Sequence, residues 1–179
     1  YLNRCPTKAE REAISSYMAT KGFPGCIASW DCKHFEWKNC PMRWQGQHQG
    51  HYDGGKRSLI LEAIADHRRY IWQAKFGDAG SLNDINVLDK SSIIGAMLSG
   101  ELDLQMNPYT VNGTVYDHTY FLADGIYPEC SIFVNTYSDS VQPKQRYFAK
   151  KQEEVRKDVE CAFGILVQQF QVLQRPLRN

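Results

Sequence analysis

The apolar and polar positions divide the chain into a leading helix, a strand-rich middle and a helical close. Ala9, Ala13, Ile14, Tyr17 and Met18 recur at helical spacing until Gly22 and Pro24 interrupt them, and Thr7 with Glu10 forms a capping-box pattern. A helix over about 7–21 is therefore expected. After the turn FPG comes CIASWD, Cys26–Asp31, an apolar run that ends on a carboxylate and reads as a buried strand. The following CKHFEWKNCPMRWQGQHQGHYDGGK passes from an aromatic-rich piece into a Gly, Gln and His stretch that reads as an exposed loop. SLILEAIAD (58–66) and RYIWQAKFG (69–77), with a tight turn near His67, complete an antiparallel trio with CIASWD.

GDAGSLNDINVLDKSSIIGAML then turns helical, capped by Ser81 or Asn83. YTVNGTVY (109–116) alternates about Asn112-Gly113, a strong hairpin signal. HTYFLAD (118–124) is the next strand, with its acid at the carboxyl end, and SIFVNTY (131–137) is one more. Beyond Pro143 the residues Val155, Val159, Phe163, Leu166, Phe170 and Leu173 mark one face of a long helix that Pro176 ends. This order predicts an α/β or α+β fold with a mixed sheet. Residues 1–24 read as a helical lead-in, packed on the core or forming the tail of an upstream domain, and 25–179 as the main domain.

Composition narrows the function classes. The 179 residues, 42% hydrophobic and 23% charged, suffice for one core that buries roughly 70% of the unfolded surface. No apolar run approaches the roughly 20 residues of a membrane helix, so a soluble protein is expected. The six cysteines form no CxxC unit and several fall in apolar runs, which suits reduced thiols of an intracellular protein. A net charge of +1 gives no global reason to bind nucleic acid, yet residues 141–179 carry eight Lys or Arg against four acids.

Two carboxylates then attract notice. An unpaired charge at the tip of a buried strand is costly, so Asp31 calls for a cation. Glu160 follows Val159 by about 100° round the helix, on the flank of the buried face, and Gly164 one turn on suggests a close helix approach. A hard cation such as Mg²⁺ takes two or three carboxylates from separate elements, and two such ions about 3.5–4 Å apart serve phosphodiester chemistry. On the residues alone, solvated surface charge is the plainer reading of these acids.

The pieces GFPG, SWDCKHFEWKNCP, GSLNDINVL, YFLADGIYP and RKDVECAFGIL, in this order, resemble the transposases of the PIF/Harbinger family, in particular the plant-transposon-protein type. The resemblance covers about residues 22–176 and implies an RNase H-like catalytic domain of the DDE class. It implies metal-dependent DNA cleavage and strand transfer at transposon ends, with Asp31, Asp124 and Glu160 as catalytic acids and ligands of two Mg²⁺ or Mn²⁺ ions. Asp84 of GSLNDINVL is the rival for second acid, but its place at the start of a helix suits a capping role, and Asp124 is preferred. The resemblance further implies a nuclear location, DNA as partner, a Myb-like or other DNA-binding protein as helper, and an oligomer on DNA. Cys161 stands where the family commonly has an arginine, and Trp30 and Lys33 flank Asp31 where smaller or apolar residues are usual. The alternative is a domesticated relative that binds DNA or chromatin proteins without cutting.

Lys144, Arg146, Lys150, Lys151, Arg156 and Lys157 bracket Glu160 and read either as DNA-backbone contacts or as a solvated helix face. Lys56, Arg57, Arg68 and Arg69 form a second basic patch. Trp37, Trp44 and Trp72 read as core or sheet aromatics. A zinc site from Cys32, His34 and Cys40 with His48 or His51 lacks paired ligand spacing. GHYDGGK misses the P-loop pattern because Arg57 replaces the required Ser or Thr.

Overall fold

The computed structural model describes residues 4–50, 54–102, 105–137 and 142–174. His51 and Pro176, named above, lie outside the described residues, as does part of GHYDGGK. Helix α1 (Lys8–Thr20) starts with the expected capping box: Thr7 Oγ1 accepts from Glu10 N, and Glu10 accepts from Thr7 N. Strand β1 (Cys26–Glu36) runs past Asp31 into the stretch expected to leave the sheet. A 3-10 turn (Met42–Trp44) and α2 (Gln45–His48) follow, then β2 (Ser58–Ala65) and β3 (Ile71–Ala79). The expected single helix after β3 is two, α3 (Asp84–Asp89) and α4 (Ser92–Leu98). β4 (Gln105–Val111) and β5 (Thr114–His118) form a separate hairpin, turned by Asn112 at φ 51° and Gly113 at φ 83°. β6 (Tyr120–Ala123), β7 (Phe133–Asn135), α5 (Pro143–Gln169) and α6 (Gln171–Gln174) complete the order.

The result is a mixed α/β fold around one mixed sheet of order β3-β2-β1-β6-β7. β1, β2 and β3 pair antiparallel, as the trio pattern predicts, whereas β6 lies parallel to β1 and β7 parallel to β6. Only β2 therefore runs against the rest. Side-chain alternation separates two layers. Trp30 and Ile64, paired across β1 and β2, join Ile14 and Met18 of α1, Leu88 of α3 and Phe121 and Phe133 in one core cluster. Ala63, the partner of Asp31, joins Leu61 and Ala65 in a second cluster against Val159, Ala162 and Phe163 of α5.

Two local features fix the frame. Gly25 has φ 87° and lies against the ring of Tyr109, so a side chain there would displace the β4–β5 hairpin from the root of β1. Asp66, fully buried at the β2–β3 turn, accepts from the backbone of Arg68 and Tyr70, from the Arg68 guanidinium at 2.6 Å and from Trp72 Nε1 at 3.2 Å. Gly164, by contrast, has open space where its side chain would be, so the expected close helix approach is absent there. The long terminal helix also stops earlier than expected: Phe170 leaves helical geometry and is 53% exposed. Among the described residues no helix is long and apolar enough to cross a membrane.

Candidate active site

Asp31 sits midway along β1, on the sheet face that α5 covers, with its side chain 15% exposed. One carboxylate oxygen accepts from Cys32 N at 2.9 Å; the other accepts from Arg156 Nη1 of α5 at 3.3 Å. Burial pushes the Asp31 carboxyl up to about 6. Arg156 and the Cys32 amide oppose that rise, and the negative fields of Asp84 and Glu160 add to it.

Asp124 follows β6, the strand parallel to β1: the ladder pairs Ser29 with Leu122, and Asp124 comes one residue after the last residue of β6. Adjacent strands lie about 4.7–4.9 Å apart. The turn after β6 is closed by Asp124 itself, whose side chain accepts from Gly125 N at 2.6 Å and whose carbonyl accepts from Tyr127 N at 3.1 Å.

Asp84 lies beside Cys32 and His34, whose side chains alternate with that of Asp31 along β1, and its charge still reaches Asp31. It is the first residue of α3, but Asn83 is the cap, accepting from Asn86 N at 2.9 Å, so the capping role expected of Asp84 belongs to its neighbour. Asp84 and Asp124 line one open cleft of about 270 Å³ with Cys32, His34, Asn83 and Ile126. Burial raises the Asp84 carboxyl; His34 counters it, and Asp124 adds to it. Asp84 is thus the acid whose field reaches both strands.

Glu160 lies on the flank of α5, with its side chain 48% exposed, and meets Arg156 Nη2 at 3.5 Å. Arg156 therefore spans Asp31 and Glu160. Among the described residues no group of three His, Cys, Asp or Glu side chains stands ready to hold a metal ion in this conformation. The donor set nevertheless suits one: Asp31, Asp84, Asp124 and Glu160 are all hard oxygen donors, and two of them have already drawn in a cation.

Gln152, which sequence reasoning passed over, locks α5 to the sheet. It is fully buried and donates through Nε2 to Ala123 O at 2.8 Å and to Val134 O at 3.1 Å, the carbonyls of β6 and β7. Arg156 was legible only as a surface cation, although its place four residues before Glu160 signals a pair along one helix face.

The other basic residues fall elsewhere. Lys150 and Lys157 are exposed and lie about 160–180° round α5 from Val159, facing away from the sheet. Lys151 pairs with Glu154 at 2.8 Å. Lys56 is exposed and Arg57 half-buried just before β2, beside the end of β1. Of the discounted cysteine and histidine residues, Cys32 contacts Tyr127 Oη at 3.6 Å and His34 pairs with Ser58 Oγ at 2.9 Å. His48 is buried against Ser58 O at 3.0 Å. All six cysteines are free thiols. Trp72 is buried, as expected, while Trp44 is 40% exposed.

A family model described as plant transposon protein matches residues 1–179. No curated protein and no solved structure matches the chain.

Proposed function

The chain belongs to the plant transposon protein family, and from that premise we propose that it is the catalytic domain of a PIF/Harbinger-type DDE transposase. Its reaction is divalent-metal-dependent cleavage of the DNA backbone at transposon ends, followed by joining of the freed 3′ hydroxyl to target DNA. The observation that supports this reading is the parallel pairing of β1, which bears Asp31, with β6, which Asp124 follows, together with the Arg156 link from Asp31 to Glu160 of α5. The sheet order β3-β2-β1-β6-β7, with β2 alone reversed, supports an RNase H-like domain.

Asp31, Asp124 and Glu160 would hold the Mg²⁺ or Mn²⁺, with Asp84 as a further oxygen donor. Bound there, a pair of divalent ions would supply charge stabilisation to the attacking and leaving oxygens of a phosphodiester. The chain's own part is placement. β1 fixes Asp31 within the sheet, and Gln152 holds α5 against β6 and β7, with Arg156 linking Asp31 to Glu160. The half-exposed Glu160 and the open Asp84–Asp124 cleft leave a side for the DNA backbone to approach. Lys56, Arg57, Lys150, Lys151 and Lys157 are the proposed backbone contacts, with those on α5 reaching DNA that wraps past the helix. The reading carries with it a nuclear location, an oligomer on DNA and a Myb-like helper protein.

Asp31→Ala protein is expected to lose Mg²⁺- or Mn²⁺-dependent cleavage of DNA carrying the element's ends, and cleavage that survives the change would sink the assignment. One observation favours the alternative of a domesticated DNA- or chromatin-binding protein: a cation already sits between Asp31 and Glu160. In that case the unaltered protein binds DNA and cuts none with either metal.

A further inference from the structure

We propose that Arg156 is a positioning residue that serves as the site's internal counter-cation, spanning Asp31 and Glu160 until a divalent ion binds and then giving way to it. The proposal rests on the reading of Asp31 and Glu160 as metal ligands.

Three observations carry it. First, Arg156 is tucked inward: its side chain is 15% exposed, and its two terminal nitrogens meet two different carboxylates. Second, it is poorly fitted there. Its contacts are 3.3 Å and 3.5 Å, each to a single oxygen, where charge-assisted N–H···O bonds are usually about 2.7–2.9 Å. Its Nε is buried with no hydrogen-bond acceptor among the described residues. Other arginines of the same chain make tight pairs: Arg68 reaches Asp66 at 2.6 Å, and Arg4 reaches Glu10 at 2.8 Å and 2.9 Å in a two-pronged contact. Arg156 is therefore held by charge more than by geometry, and a cation with better-matched coordination can replace it. Third, Arg156 and Glu160 sit one turn apart on the same helix, and Gln152 anchors that helix to β6 and β7 through its own contacts. The guanidinium can swing out without moving the helix or the carboxylates.

The consequence is a competition. While Arg156 occupies the space between the acids, only the fraction of molecules with the arginine displaced can accept an ion, and the apparent metal affinity is lowered by that fraction. Released toward solvent on the flank of Glu160, the guanidinium becomes available to a DNA phosphate, which it can grip with two parallel N–H donors.

The test is direct Mn²⁺ binding to the full chain, measured by titration calorimetry and by the Mn²⁺-induced rise in Tm. Both are run in metal-stripped buffer well above the carboxylate range. Arg156→Gln is expected to lower Tm without metal, to bind Mn²⁺ about tenfold more tightly than the unaltered protein and to show a larger metal-induced rise. Arg156→Lys, which keeps the charge but loses the fork, is expected to fall between the two and stands in should the glutamine variant not fold. Asp31→Asn is expected to abolish binding. If Asp31→Asn abolishes binding while both Arg156 variants bind no more tightly than the unaltered protein, the counter-cation role is overturned and the metal site stands. If Asp31→Asn binds Mn²⁺ as the unaltered protein does, the metal site itself is wrong and the counter-cation falls with it.

Discussion

Asp31→Asn, in the absence of divalent metal, is expected to make this protein more stable at neutral pH. In the folded chain the Asp31 carboxyl is raised from 3.8 to about 6, chiefly by burial. A carboxyl raised on folding holds its proton in the native state over a window, from about pH 4 to about pH 6, in which the unfolded chain has already lost it. The native state binds more protons there, so stability falls as pH rises through the window. At about 1.36 kcal/mol per pH unit, the displacement makes the ionised Asp31 a burden of about 3 kcal/mol at neutral pH. Asparagine has the same shape and no charge to desolvate. It also takes one of two carboxylate charges away from Arg156, which keeps that of Glu160 at 3.5 Å, and so takes part of the gain back. The expected net gain is about 1–2 kcal/mol, or a rise in Tm of about 2–8 °C for a chain of this size. The assay is thermal or urea unfolding of both proteins in chelator at several values from acid to neutral pH. Near pH 4 the two curves should meet, because Asp31 is then protonated in the native state. A variant less stable than the parent at neutral pH, or a difference that does not change with pH, would refute the account of Asp31 as an ionised group held against its own solvation.

Gln152→Leu removes both bonds from α5 to the Ala123 and Val134 carbonyls but also relieves Gln152 Oε1, which is buried without a partner among the described residues, so the expected loss is about 1–2 kcal/mol. Urea midpoints with an unchanged slope would measure it, and a leucine variant as stable as the parent would mean the clamp contributes nothing. Asp66→Ala strips partners from the Tyr70 amide and Trp72 Nε1 at the buried β2–β3 turn, and should cost roughly 3–5 kcal/mol, a fall in Tm of about 10 °C. A thermal melt within a few degrees of the parent would contradict the count of bonds at that turn.

What could be read from the chain depended on how local its cause was. The Thr7–Glu10 capping box and the Asn112-Gly113 turn arise within four residues, and both stand where the sequence puts them. The antiparallel trio is nearly as local, since a short turn at His67 leaves β2 and β3 little choice of partner. Long-range pairing is a different matter. β1 outruns its apolar segment because β2 continues to pair with it through Phe35 and Leu59 after β6 has ended, so the polar Lys33 and His34 are carried into a sheet that their composition does not announce. Gly164 fails as a signal for a similar reason: a gap in a helix means close approach only if a neighbour lies on that face, and none of the described residues does.

The candidate site has both kinds of cause: motifs name its acids, whereas its organisation depends on long-range packing. Asp31, Asp124 and Glu160 could be named from motifs, but Asp31, expected at the tip of its strand, lies midway along β1. Which acids share a cleft depends on how α3 lies against β1, and that placement puts Asp84 beside Asp124 with Asn83 taking the helix cap. Arg156 and Gln152 are more hidden still. Each is an ordinary polar residue in a polar stretch, and each acquires its meaning from the angle at which α5 crosses the sheet. At that angle Gln152 meets two backbone carbonyls and Arg156 meets Asp31, a residue 125 positions away. The packing of α5 that brings Arg156 to Asp31 also sets Glu160, one turn on, beside the same guanidinium, so the acid on this helix arrives together with its opposing charge.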